Sequence, residues 1–358
     1  MDFGLSDDQR LLEETLRSFL ADRVPIERVR EQREAGGGND RSVWKALAEL
    51  GISGILIGEE HGGSGLSLLD AVLVSESLGY AVAPVPFLGS GVMAPVALAS
   101  LKDTDAWLAG MATGDLVLGV AVTETFSTRE RAGVVLEQGG LRGKAMMALD
   151  AHGADRILLA LSSDQLAVLR ADAPGLSTTR LATIDATRCT SELLLSGVVP
   201  EAVFDGAADT VARMLAAGRV ALAADTLGAC ESMIEQAVAY AMQRKQFNRT
   251  IGSFQAVKHM CAEMVAELEP ARSLLWYAAH AFDAFPEEAP LMACHVLAHV
   301  SEIGREIASI STQVHGGIGW TDEQNLHYWF KRVGVDRQLL GSPGQLREHA
   351  ARLQGWAA

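Results

Sequence analysis

The apolar pattern of this chain changes period twice, and that limits the folds open to it more than any single motif does. From residue 206 onward, apolar residues recur at helical spacing over 206–243, 254–285, 288–314 and 323–334, with "NRTIG" and "FPEEAP" as breaks. Helices of that length must bury an apolar stripe over many turns, which requires helical neighbours. Between about 112 and 203 the pattern shortens. "LVLGVAVTE", "RILLALS", "QLAVLRA" and "SELLLSGVVP" are β-favouring runs separated by Gly, Asp, Ser and Pro, as in a compact β domain. Upstream the pattern is helical again. "LSDDQRLLEETLRSFLADRVP" starts at Ser6 as an N-cap, carries acidic residues in its first turn and stops at Pro25. "SVWKALAELGISG" follows as a second amphipathic helix, and "EEHGGSGLSLLDAVLVSESLGYAVAPVPF" reads as a glycine loop, an apolar helix and a proline stop. The class is therefore α+β, with a helical domain at 1–110, a β domain at 111–205 and a second helical domain at 206–358.

Composition excludes some functions. A formal charge of −15 argues against nucleic-acid binding, which needs basic patches. No apolar run reaches the ~18 residues of a membrane span, and no basic stretch precedes an apolar leader. Cys189, Cys230, Cys261 and Cys294 form no CxxC pair. They are expected to be reduced thiols of a cytoplasmic protein.

Two polar clusters interrupt the C-terminal helices. In "YAMQRKQFNRTIGSFQAVK" (240–258) one helix closes, the chain turns at Asn248–Gly252 and another helix opens at Ser253. Its basic residues can simply complement a helix C-terminus while Ser253 caps the next helix. They can also form an anion-binding corner, with Arg244 and Gln246 near phosphates and Phe247 over a ring. "QVHGGIGW" (313–320) places three glycines at a helix end, either as a stop signal or to let backbone amides approach a phosphate. His295 and His299 share a helical face but lack an HExxH context, so no metal site is expected. "GGIGWT" lacks the third glycine of a dinucleotide fingerprint, and neither GxSxG nor a Walker sequence occurs.

The order helical–β–helical, "LSDDQ", "ELGISGILIGEEHGGSGLSLLDAVLVSESLG" (49–79), "RKQF" (244–247) with Gln255, and "QVHGGIGW" together resemble the flavin-dependent acyl-CoA dehydrogenase family across the whole chain. "APVPF" (83–87) and "HGGIGWTDE" (315–323) resemble actinobacterial members, including those acting on steroid side chains. The resemblance implies an N-terminal helical domain, a middle β domain and a C-terminal four-helix bundle. It also implies FAD held at a subunit interface, an acyl-CoA substrate and electron-transfer flavoprotein as acceptor. In the family a Glu removes the α-proton of the thioester while the flavin accepts hydride from the β-carbon. One subunit supplies a Thr-Glu-Pro-Gly-Ala-Gly-Ser loop and a Trp-Ile-Thr strand to the flavin ring. Its neighbour supplies Arg, Phe and Gln-x-x-Gly-Gly groups to the diphosphate side.

By that resemblance the neighbour's half is present here, as Arg244, Phe247, Gln255, Gln313, Gly316 and Gly317. The ring-side half is not. "VTETFSTRER" (122–131) keeps Thr123 and Glu124 but loses the proline and glycines, and "MMALDA" puts Met147 and Leu149 where Trp and Thr are expected. The two family positions for the base fall at Leu340 and Gly218, neither of them acidic, while Arg219 matches a family arginine. No catalytic residue is therefore expected in this chain. The resemblance implies a non-catalytic subunit paired with a second, catalytic acyl-CoA dehydrogenase subunit. The alternatives are a homo-oligomeric dehydrogenase using Asp336 or a carboxylate of the 59–60 loop as base, and a flavin-free acyl-CoA-binding scaffold.

Overall fold

Ser6 starts the first helix as its sequence requires. The Gln9 amide donates to Ser6 Oγ at 3.2 Å, and the Ser6 amide donates to Gln9 Oε1 at 3.0 Å. This reciprocal cap satisfies two amides that would otherwise have no partner. In the computed structural model, which describes residues 4–127 and 132–357, six helices make up the N-terminal part. They are α1 (Asp7–Arg23), α2 (Ile26–Glu34), α3 (Arg41–Glu49), α4 (Leu68–Tyr80), α5 (Ala94–Leu98) and α6 (Asp105–Ala112), with a π-helical turn at Phe87–Met93. Apart from the half-buried Leu69, helix α4 is buried from Leu68 to Gly79, which explains its nearly unbroken apolar sequence.

Eight strands follow: β1 (Leu118–Ala121), β2 (Gly133–Glu137), β3 (Gly140–Leu149), β4 (Arg156–Ala160), β5 (Gln165–Arg170), β6 (Leu176–Arg180), β7 (Thr190–Val198) and β8 (Ala202–Asp205). They form one mixed sheet in the order β6-β7-β3-β1-β4-β5-β8, with β2 pairing β3. β1 and β4 run parallel, in register from Leu118 with Arg156 to Ala121 with Leu159. Alternate side chains serve two cores. Ile157 and Leu159 enter a separate β core, while Leu158, Leu166 and Val168 join the large core shared with the helices. The four β-favouring runs of the sequence became β1, β4, β5 and β7. β2, β6 and β8 carry mostly half-exposed or exposed residues and gave no apolar signal.

The C-terminal part holds α7 (Ala208–Gln243), a two-residue-stranded hairpin of β9 (Lys245–Gln246) and β10 (Arg249–Thr250), α8 (Gln255–Ala284), α9 (Ala289–His315), α10 (His327–Asp336) and α11 (Pro343–Leu353). Helices α7, α8 and α9 run up, down and up, α11 packs on α9, and α10 lies against α7 and α9. Helix α4 crosses α7 at backbone distance. A Cβ on Gly79 would lie 1.9 Å from the Asp225 carbonyl oxygen, and one on Gly228 would lie 1.9 Å from that of Glu76. Only glycine permits so close an approach. The crossing is fastened by a contact of Arg272 on α8 with the buried Glu76 of α4. Two details differ from the sequence expectation. Phe247 and Asn248, with φ of +51° and +62°, make the hairpin turn, and Ser253 donates to the Thr250 carbonyl at 2.6 Å instead of capping α8.

Candidate functional site

The up-down-up course of α7, α8 and α9 has a direct consequence. It brings the C-terminus of α7, the N-terminus of α8 and the C-terminus of α9 to one end of the bundle. Arg244, Phe247, Gln255, Gln313, Gly316 and Gly317 all lie there. The Tyr240 ring stacks on the His315 ring at 4.8 Å between centroids, fastening the end of α7 to the end of α9. Arg244, Gln255 and Gln313 are exposed, and Phe247 at the hairpin tip is 86% exposed. Gln255 Nε2 lies 3.0 Å from His259 Nε2, a contact on its own helix. Among the described residues Arg244 has no carboxylate partner.

The two glycines differ. Gly316 ends α9 at φ +65° and ψ −144°, a conformation open essentially to glycine alone. Gly317 has no such backbone requirement, and a Cβ there would meet nothing within 4 Å. Neither conformation nor crowding inside this chain explains a glycine at 317. The Gly316 amide donates to the Thr312 and Gln313 carbonyls, closing the helix end, while Gly317 is exposed.

The two family positions for the base meet in space. A Cβ on Gly218 would stand 3.1 Å from Leu340 Cδ1 and 2.7 Å from Met93 Sδ. Met93 belongs to the π-helical turn, and nothing in the sequence pattern linked it to this point. Leu340 is 3% exposed and holds φ +54°. The point where the family carries a carboxylate is thus filled by a leucine, a methionine and a glycine. Arg219 is beside it, with Nε donating to the Leu340 carbonyl at 3.0 Å.

The other carboxylates considered from sequence are elsewhere. Glu59 and Glu60 form an exposed turn. Asp336 is fully buried, 2.6 Å from Arg188 Nε, in a network where Arg188 and Arg332 also reach Asp225 at 2.9 Å. Burial works against Asp225, but the two guanidiniums hold it down to about 2. Burial pushes Asp336 up to about 8, and the Asp225 charge adds to that. A lone Asp inside the apolar run "ALAADTLGAC" was the available sequence signal for this network, since a buried charge needs partners.

The ring-side positions make contacts within this chain. Glu124 accepts the Met146 amide at 2.8 Å, and Thr125 Oγ1 donates to the Val122 carbonyl at 2.7 Å. Met147 sits at φ +54° where the pairing of β3 with β7 is irregular, between Ala145 and Ala148. Leu149 is buried and pairs with Val120. Asp150 accepts the Gly89 amide at 2.9 Å and is pushed up to about 6 by burial. Of "VTETFSTRER", Thr128 to Arg131 lie outside the described residues. A cavity of about 420 Å³ remains nearby, lined by Phe126, Ser127, Arg219, Gln345, His349 and Arg352 among others.

Three comparisons bear on this arrangement. Residues 6–115 match the acyl-CoA dehydrogenase N-terminal domain, and residues 205–354 match the acyl-CoA dehydrogenase C-terminal domain. The chain is 32% identical over 349 residues to acyl-CoA dehydrogenase IpdE2 of Mycobacterium tuberculosis, covering 97% of this chain and 96% of that protein. Among solved structures it resembles the ChsE4–ChsE5 complex from Mycobacterium tuberculosis, with a TM-score of 0.90, 27% identity and 100% coverage of both chains. It also resembles a variant of the Tcur3481–Tcur3483 steroid ACAD, with a TM-score of 0.87, 28% identity and 98% coverage of both. No described helix is long and apolar enough to cross a membrane. His295 and His299 are part of no group of three potential metal ligands among the described residues.

Proposed function

The chain belongs to the acyl-CoA dehydrogenase family, and from that premise we propose that it is the non-catalytic subunit of a hetero-oligomeric, FAD-dependent acyl-CoA dehydrogenase. A catalytic partner subunit binds most of the flavin and carries the base, and the complex introduces an α,β double bond into an acyl-CoA. The reading that the substrate is a steroid side-chain thioester rests on the likeness to a steroid ACAD. Electron-transfer flavoprotein is the proposed acceptor, and the cytoplasm the proposed compartment.

The observation that carries the proposal is the contact of Gly218 with Leu340 and Met93. General-base catalysis contributes roughly 10²–10⁴-fold, and it needs a proton acceptor within hydrogen-bond reach. Apolar side chains fill both places from which such an acceptor could come. The end of the bundle suits a contributory role. Arg244 can make charge-assisted hydrogen bonds to a diphosphate, and the exposed Gly317 backbone lies at the same end of the bundle. FAD, when bound, supplies the hydride acceptor. This chain's part is to hold the diphosphate side and orient the group toward the partner. A homo-oligomer with a non-standard base is disfavoured, because Asp336 is buried in ion pairs and the 59–60 carboxylates are exposed.

The test is co-expression with the product of the neighbouring gene, followed by a count of flavin per subunit. The proposal expects one FAD per pair of unlike chains and a colourless chain when this one is made alone. A yellow homo-oligomer with one FAD per chain contradicts it.

A further inference from the structure

Two residues of "QVHGGIGW", His315 and Gly319, face inward. His315 is 3% exposed, Gly319 is buried, and a Cβ on Gly319 would stand 3.0 Å from His315 Cβ. The turn Gly316–Trp320 thus folds back onto His315. The imidazole is fixed in orientation. Its Nδ1 lies 2.7 Å from the Ser311 carbonyl oxygen, which can only accept, so Nδ1 carries the proton and donates. Among the described residues Nε2 has no partner, so this is the ring's one hydrogen bond.

The ring stacked on it is Tyr240 of α7, 4.8 Å away between centroids and inclined by 28°. From Ala237 to Gln243, Tyr240 is the only large side chain that is not exposed. The buried residues of that stretch, Ala237 and Ala241, are small, while Val238 and Met242 are 40% and 64% exposed. Arg244 follows one turn later, with its backbone tied to the same residue. Its amide donates to the Tyr240 carbonyl at 2.9 Å, and its carbonyl accepts the Ile251 amide at 2.8 Å. On the α9 side, Gly316 and the exposed Gly317 directly follow His315. Stacked rings favour an offset geometry at a defined separation, which contacts between alanines do not impose.

We infer that Tyr240 and His315 are the positioning pair of this end of the bundle, holding Arg244 of α7 and Gly317 of α9 at one fixed separation so that a single diphosphate meets both. The inference rests on the proposed subunit role. Neither ring has to touch the flavin, because each acts through the residue that follows it on its own helix.

The test is a double-mutant cycle on the FAD affinity of the complex with the partner subunit, using Tyr240→Leu, Arg244→Ala and both together. Tyr240→Leu is expected to weaken FAD about tenfold, but to add no more than about twofold once Arg244 is alanine. Tyr240→Phe keeps the ring and is expected to bind FAD as the unchanged complex does. Should Tyr240→Leu not fold, His315→Leu removes the stack from the α9 side and is expected to show the same coupling to Arg244→Ala. Additive losses would mark a stack that serves stability alone and overturn the pairing. So would full FAD affinity in Tyr240→Leu, or a loss in Tyr240→Phe as large as that in Tyr240→Leu. A complex without FAD, or one whose FAD affinity Arg244→Ala leaves unchanged, removes the proposed diphosphate contact and the pairing with it. A loss in Arg244→Ala without coupling removes the pairing alone.

Discussion

Helix α7 carries two sites with opposite histories of packing. At its C-terminal end, Arg244 is exposed with no carboxylate partner among the described residues, and Gly317 is more open than its own chain requires. About a third of the way along it, Gly218 is closed in by Leu340 and Met93, so that a Cβ would crowd Met93 Sδ at 2.7 Å. One family pattern predicts function at both places. A side chain retained without an internal partner points to a partner outside the chain. A functional position taken over by well-packed apolar groups points to a function given up.

The comparison breaks most visibly at Gly218. Gly218→Glu would drive a charged side chain into a closed apolar site, combining overpacking with burial of an unpaired carboxylate. A loss of stability on the order of 3 kcal/mol is expected, read by denaturant unfolding. A stable, soluble Gly218→Glu protein would show that the site is more open than the contacts imply.

At the open end, Arg244→Ala should leave the unfolding of the chain unchanged and weaken flavin retention by the complex. Charge-assisted hydrogen bonds contribute about 1.5–3 kcal/mol each, which corresponds to roughly one to two powers of ten in affinity. Flavin retention on dilution is the measurement. The two glycines sharpen the same point. Gly316→Ala forces a conformation that costs about 1–3 kcal/mol and should lower stability whether or not flavin is present. Gly317→Ala should leave stability alone and reduce only flavin retention.

The smallest effect is in pH. Asp336 and Asp150 are held above the ordinary carboxylate range, so the folded chain keeps protons that the unfolded chain releases. Stability from these groups is present below about pH 4 and declines as pH rises through about 6 and about 8. Asp225, held at about 2, has the opposite sign, with its contribution present above about pH 4 and lost only in stronger acid. The melting temperature should therefore fall by a few degrees between pH 5 and pH 8, and Asp336→Asn should flatten that slope.

Much of this was legible in the sequence, for identifiable reasons. Ser6, the long C-terminal helices and the apolar strands β4, β5 and β7 follow from capping and periodicity, which are local. The convergence of Arg244 with Gly316 was legible only through the family pattern, because α8 separates them in sequence. Met93 was not legible, since its contact with Gly218 depends on how the π-helical turn seats against α7. The exposed strands β2 and β6 were missed because the sheet's hydrogen bonds, not apolar burial, hold them in place.

The central claim is that this chain's own site has lost its chemistry while it serves a partner's flavin. The most direct measurement is acyl-CoA oxidation by the complex after the partner's catalytic carboxylate has been replaced by the amide, with and without Leu340→Glu in this chain. The account predicts no turnover in either case. A carboxylate at 340 would be desolvated, and this chain's groups hold no acceptor in line with the substrate. Recovered oxidation with Leu340→Glu would mean that this half-site holds a working flavin, and the non-catalytic assignment would fall.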